Sequence, residues 1–239
     1  MSRFRSKFAA LLAVIVAVSV APALTSTAGA DPGTSKVWVT HGLPLNDSGT
    51  VVDVFVNGAL TLEDFTFGTT AGPLTLPAAS YDIEVKLANT DTVAISESVA
   101  VPAGGNFSVV ASYVDAAGSL GLNVFANDLK KTNFFSGRVA LHHAAAAPAV
   151  DIDLGLFPLT RQFPFFKITP VTGASNGAQA NLDVFSFLRY TVDVRVAGTG
   201  TVVLPIDNVR VRGGQLNNFY VVGSAADGTL QTVSSTIRL

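Results

Sequence analysis

Along much of the chain, apolar and polar residues alternate with a period of two. Tyr81, Ile83, Val85 and Leu87 alternate with Asp82, Glu84 and Lys86; Tyr190, Val192, Val194 and Val196 alternate with Thr191, Asp193 and Arg195. Successive side chains of a strand point to opposite faces, so the pattern predicts strands with one face in a core and the other in water. Val52/Val54/Val56, Val150/Ile152/Leu154, Phe107/Val109/Ala111/Tyr113 and Leu120/Leu122/Val124 read the same way. Asn57-Gly58, Pro102-Ala103-Gly104-Gly105, Ala117-Gly118 and Asp227-Gly228 separate the runs with hairpin and turn chemistry. Beyond residue 30 no stretch sustains a 3.6-residue period. The prediction is an all-β fold, with seven or so strands per ~100 residues favouring an immunoglobulin-like or transthyretin-like antiparallel β-sandwich.

The pattern also occurs twice. Tyr81 to Leu87 aligns with Tyr190 to Val196 at an offset of 109, as do Gly104-Gly105 with Gly213-Gly214; Asn106 to Val110 aligns with Asn218 to Val222 at 112. Upstream, Phe65 and Phe67 align with Phe163 and Phe165 at 98, and His41 with His142 at 101. The change from 98 to 109 implies an insertion of about 11 residues in the second copy, placed by this alignment within 172–183, where Gly173-Ala174-Ser175-Asn176-Gly177 reads as loop. Two tandem sandwiches are predicted, over 37–127 and 138–239. They are joined by a linker at 128–137 whose Phe134-Phe135 pair is expected to pack against one domain or into the interface.

The first thirty residues break the pattern. Arg3, Arg5 and Lys7 precede an apolar run of 14 residues, Phe8 to Ala21, and Ala28-Gly29-Ala30 follows before Asp31. The run is short of the ~20 residues that span a bilayer. The order of basic, apolar and small-residue regions predicts a cleaved signal peptide over 1–30 and a secreted or envelope-associated protein, not an integral membrane one. The remaining chain carries 12 Lys+Arg against 17 Asp+Glu, a balance that argues against nucleic acid or anionic lipid as partner. With no cysteine in 239 residues, disulfide scaffolds, thiolate metal sites and cysteine nucleophiles are excluded. The 49% hydrophobic and 13% charged composition excludes disorder and fits two separate cores.

Particular residues then resemble a known family. The first copy has Val39-Thr40-His41, Pro44 and Val52-Asp53-Val54-Phe55-Val56-Asn57-Gly58; the second has Val139-Ala140-Leu141-His142 and Pro148-Ala149-Val150-Asp151-Ile152. This is similar to the secreted bacterial repeat of the domain-of-unknown-function family 4397, which opens like V-H-A-S-P-D-A-P-A-V-D-V-Y-V-N-G. The second copy departs from it by Ala144 to Ala147 and by losing the Asn-Gly turn. The resemblance implies export and a β-sandwich, and brings no activity with it.

Candidate chemistry is sparse. His142 and His143 are strand neighbours facing opposite ways, which disfavours a shared metal. His41, Asp53, His142 and Asp151 are expected to be structural motif residues, the histidines bonding backbone or carboxylate at a strand end. Asp151 and Asp153 share a face, so a metal- or carboxylate-dependent hydrolase centred on Asp151, Asp153 and His143 is the alternative to a non-catalytic module. No nucleophile signature occurs, and neither cofactor nor metal is expected. An envelope pore built from oligomerised strands would need an outward apolar band, which the charged partners of the alternation contradict. Within Leu156 to Phe166, Phe163 and Phe165 are expected in the core at the places of Phe65 and Phe67. Phe157 and Phe166, together with Phe134 and Phe135, are the expected contact surface for an envelope glycan or another surface protein. The leading expectation is an exported, non-catalytic binding or structural module of the bacterial envelope.

Overall fold

Period-two alternation becomes eight strands in each half of the chain. The computed structural model describes residues 33–44 and 50–239; the predicted signal peptide lies outside them. The first half forms β1 (Thr34–His41), β2 (Val51–Val56), β3 (Ala59–Thr66), β4 (Thr70–Pro77), β5 (Ala79–Leu87), β6 (Val93–Val101), β7 (Asn106–Tyr113) and β8 (Leu120–Ala126). The second forms β9 (Ser136–His143), β10 (Val150–Leu156), a single helical turn α1 (Leu159–Gln162), β11 (Lys167–Ala174), β12 (Gln179–Phe185), β13 (Arg189–Val196), β14 (Val202–Arg210), β15 (Gln215–Val222) and β16 (Gln231–Arg238). The sheets run β4-β1-β7-β8 and β3-β2-β5-β6, then β12-β9-β15-β16 and β11-β10-β13-β14, so the second sandwich repeats the strand order of the first. Each opening strand lies between its sandwich's fourth and seventh and pairs in parallel with the seventh, β1 with β7 and β9 with β15. That is a transthyretin-like arrangement; an immunoglobulin domain pairs its first strand with its second.

Each sandwich has its own apolar filling. Val52, Val54, Val85 and Ile95 lie in the first, and Val139, Leu141, Ile152, Leu182, Val192 and Val194 in the second. Between them lies a third buried layer. The strands β7 and β9 are buried along nearly their whole length on both faces. Phe107, Val109 and Ala111 are buried on one side of β7, with Val109 and Ala111 in the first sandwich's apolar clusters; Ser108 and Val110 alternate with them and lie toward the second sandwich. Opposite them, Ala140, His142, Leu216, Asn218, Tyr220 and Val222 leave the second core to meet the first sandwich. The Tyr220 ring stacks on His142 at 4.6 Å and lies 6.1 Å from Phe125. Asn218 donates to Asn127 Oδ1 at 3.4 Å, Asn127 donates to Asn106 Oδ1 at 2.8 Å, and Gln179 donates to the Ala126 carbonyl at 2.9 Å. A buried polar group is costly without a partner, and these small amides answer one another across the sheets. The two sandwiches therefore form one four-layer stack.

Strand pairing relocates the insertion. Val52 pairs with Leu87 and Val150 with Val196, so β2 and β10 stand 98 apart while their partners Leu87 and Val196 stand 109 apart, as do Leu62 and Val171 on the next strand. The extra residues thus fall between β10 and β11, around α1, where the first copy has only the Asn57-Gly58 turn, and not within 172–183. The aligned phenylalanines misled because Phe163 and Phe165 belong to the insertion itself and have no counterpart in the first copy.

Candidate functional site

Asp53, Asp151 and His41 make hydrogen bonds within their own sandwich. Asp53 Oδ1 accepts the backbone N–H of Asp64 at 2.9 Å, where β3 bulges and Asp64 takes φ +50°. Asp151 Oδ1 accepts from Gly173 at 2.8 Å, at the matching bulge of β11 with φ +62°, and its Oδ2 accepts from Gly198 at 3.0 Å. These backbone donors hold the Asp151 carboxyl below the usual carboxylate range. Both aspartates anchor a left-handed bulge residue of an edge strand. The histidines correct the alignment. His41 Nε2 bonds the Thr50 carbonyl at 3.1 Å while Nδ1 accepts from Leu43 N–H at 3.3 Å. His143, not His142, does the same in the second copy: Nε2 bonds the Pro148 carbonyl at 3.2 Å and Nδ1 accepts from Ala145 N–H at 3.4 Å. In each, an acceptor Nδ1 fixes the neutral tautomer. His142 is instead part of the layer between the sandwiches, where it pairs with Asn218 at 3.3 Å.

The hydrolase alternative finds no constellation. Asp153 is 2% exposed along its side chain, and its oxygens are taken by Arg195 Nε at 2.8 Å, Lys167 Nζ at 2.7 Å and Thr169 Oγ1 at 2.6 Å. Burial pushes this carboxyl up, but the bonds from Arg195, Lys167 and Thr169 outweigh it and hold it at about 2. His143 stands on β9, in a different sheet from Asp151 and Asp153 on β10. Among the described residues no three His, Asp or Glu side chains are grouped to hold a metal ion.

The insertion builds a different kind of site. Arg161 of α1 donates through Nη1 to Asp193 Oδ2 at 2.8 Å and through Nε to Asp207 Oδ1 at 2.7 Å, reaching over the outer face of the β13–β14 pair. Thr160 bonds the Phe166 carbonyl at 2.8 Å, and Gly155 leaves beside Thr160 the space that any Cβ would fill. Pinned in this way, the loop presents Phe163, Phe165 and Phe166 to solvent, with the Phe165 ring tilted against Phe166 at 4.6 Å and against Phe163 at 5.8 Å. In Arg161→Ala, hydrogen–deuterium exchange of residues 157–166 should quicken while β9 and β15 stay protected; unchanged exchange in that loop would show that Arg161 is not what holds it.

Phe166 borders a groove of about 640 Å³, open between the edge strands β11 and β12. Leu154, Leu156, Ile168 and Val184 form its floor, and linker residues Asp128 to Asn133 run along one wall. On its rim Phe185 stands 5.3 Å from Phe187, which is 67% exposed. Phe134 and Phe135 are 84% and 63% exposed, so neither is packed into a domain or the interface as expected. The Phe135 carbonyl accepts from Ser186 N–H at 2.8 Å, which ties the linker to the Phe185–Phe187 turn. Phe157 is only part-exposed and continues the β10 ladder through its N–H to Arg189 O at 2.9 Å. The structure thus gathers Phe134, Phe135 and Phe166 at one end of the second sandwich and adds Phe163, Phe165, Phe185 and Phe187, which the sequence reading missed. Their signal was position: both Phe-x-Phe pairs lie at strand ends, where a turn lifts side chains out of the core.

Residues 35–153 match the family DUF4397, described as a domain of unknown function. No curated protein matches. Among solved structures, a candidate cell adhesion protein from Bacteroides uniformis aligns at 13% identity and TM-score 0.29, over 86% of this chain and 98% of its own. The carbohydrate-binding module CBM26 of Eubacterium rectale Amy13K, solved with maltoheptaose, aligns at 11% and 0.26, over 85% and 97%. A candidate adhesin from Bacteroides ovatus aligns at 11% and 0.25, over 86% and 95%. At such scores the likenesses carry no argument about ligand. Among the described residues no helix is long and apolar enough to cross a membrane.

Proposed function

We propose that the chain is an exported, non-catalytic binding module of the bacterial cell envelope, and that the phenylalanine-rimmed end of the second sandwich is its contact surface. The observation that carries this reading is the gathering of seven exposed phenylalanines at one end of the second sandwich, where Phe166 and Phe185 line a groove. A soluble surface rarely leaves so large an apolar patch uncovered unless something binds there. The rigid four-layer stack fits such a role, since it holds the loops in place without help from a ligand. His41, His143, Asp151, Asp153 and His142 are engaged in fixing bulges, loops and the layer between the sandwiches. Partners in keeping with this surface are another envelope protein, a glycan or the lipid surface.

The test is retention by isolated envelopes of the producing bacterium. Protein beginning at Asp31 should sediment with them, and F134S/F135S/F165S, which alters exposed side chains only, should be retained at least about tenfold less, on the scale of about tenfold per apolar ring. Equal retention of the two proteins, or none of either, would overturn the reading.

A further inference from the structure

The modest overall acidity of the chain conceals a division. Residues 31–127 hold two Lys/Arg against ten Asp/Glu, a balance of −8, whereas residues 128–239 hold ten against seven, a balance of +3. Much of the positive charge of the second half stands at the phenylalanine end. Lys130 and Lys131 are exposed on the wall of the groove, and Arg189, Arg210 and Arg212 surround Phe187 in an adjoining depression of about 680 Å³. None of these five is paired with a carboxylate among the described residues. The nearby acids Asp128 and Asp183 are occupied by Arg138, at 3.0 and 2.9 Å.

Building on the binding-module reading, we propose that this end is a peripheral docking surface for an anionic lipid bilayer. The phenylalanine tips enter the boundary between headgroups and acyl chains, and Lys130, Lys131, Arg189, Arg210 and Arg212 lie against the lipid phosphates. Three features favour lipid over glycan or protein. The exposed rings are all phenylalanine, with no hydroxyl or indole N–H for a sugar to bond, while the only tryptophan, Trp38, lies by the layer between the sandwiches. The rings project from separate loops as tips, whereas a protein partner is met by a continuous face. Cations also flank them, which is the pairing of apolar insertion with phosphate attraction that interfacial proteins use. The strongly acidic first sandwich would be repelled by the same surface, so charge sets the direction of approach as well as its strength. The chain-wide net charge, which argued against anionic lipid, averaged these two opposed halves.

The experiment uses protein beginning at Asp31, so that the apolar stretch Phe8 to Ala21 cannot act as an anchor, and vesicles of phosphatidylcholine alone or mixed with phosphatidylglycerol. The protein should sediment with the mixed vesicles and only weakly with pure phosphatidylcholine, and added salt should release it. F163S/F165S/F166S should lower the partition coefficient by about tenfold or more, and K130Q/K131Q by about fivefold per charge. Circular-dichroism melts matching the parent protein establish that both variants are folded. Absence of sedimentation with mixed vesicles, or sedimentation that both variants share in full, overturns the lipid assignment. If vesicles fail while envelopes still retain the chain in a phenylalanine-dependent way, lipid is overturned and the binding module stands with a protein or glycan partner; if envelopes fail as well, both readings fall.

Discussion

Lowering the pH from 7 to 5 is expected to remove about 4 kcal/mol of folding stability. His41 and His142 are the source. Burial, only partly offset by the bond to Thr50, lowers His41 to about 4; burial, only partly offset by the bond to Asn218, lowers His142 to about 3. An unfolded histidine takes up its proton near 6.5. Below that pH the unfolded chain binds protons that the folded one refuses, so each group costs about 1.4 kcal/mol per pH unit until its folded value is reached. The stability contributed by these neutral rings is therefore fully present above pH 6.5 and drains as the pH falls from there, to about 4 for His41 and to about 3 for His142. His143 is lowered in the same direction by its burial and adds to the effect. Asp153, held at about 2, acts only below the unfolded carboxylate range and lies outside the window. Urea midpoints at pH 7 and pH 5 give the measurement, and His142→Gln should remove about half of the two-histidine effect. A midpoint that does not move with pH would mean that the rings can be protonated in place.

Tyr220→Ala is expected to cost about 3–5 kcal/mol, and Tyr220→Phe almost nothing. The ring is wholly buried between His142 and Phe125, so truncation opens a cavity in the layer that joins the sandwiches. Its hydroxyl is different: it lies near Thr40, Ser108 and Ser235 with no bond of good geometry, and burial raises its pKa. Removing a buried hydroxyl that lacks a partner sacrifices little. Trp38 packs against the nearby cluster of Ala140, Leu216 and Ile237, so its fluorescence reports directly on the joint. The alanine variant should shift that signal's urea midpoint strongly and the phenylalanine variant hardly at all; comparable losses in both would show that the hydroxyl, and not the ring, holds the layers together.

The two kinds of burial explain what was legible in the sequence and what was not. Tyr81 to Leu87 and Tyr190 to Val196 were readable as strands because each alternates between a core and a more polar face, and the size of the insertion followed from the spacing of the repeats. The stacking of the two sandwiches was hidden, because β7, β9 and β15 are covered on both sides. Their second face is lined by Ser108, Asn218 and His142, which resemble solvent-facing residues until their partners in the other sandwich are seen. His142 was matched to His41 by a count along the chain, yet hydrogen bonding selects its neighbour, since one residue along a strand reverses the side chain's face. The aromatic end failed for a related reason. Phenylalanine is the same residue in a core and on a tip, and only the pinning of the α1 loop by Arg161 and Thr160 decides which it is.

The parallel pairing of the first and seventh strands bears on the sequence of events in folding. Lys36 is opposite Asn106 and Arg138 is opposite Leu216, partners 70 and 78 residues distant along the chain. The central strand of each inner sheet thus stays without one neighbour until nearly the whole of its sandwich has been made. Hairpins such as β2–β3 and β7–β8 can form early, but neither sandwich can close around its first strand until its seventh arrives. Folding should accordingly be slow for the chain's length. The inner face of β9 is also covered by Phe125 of β8, 4.3 Å from His142, and by Trp38 of β1 beside Ala140, so the second sandwich completes its surroundings only against a finished first one. The amino-terminal half becomes the template on which the carboxy-terminal half is assembled.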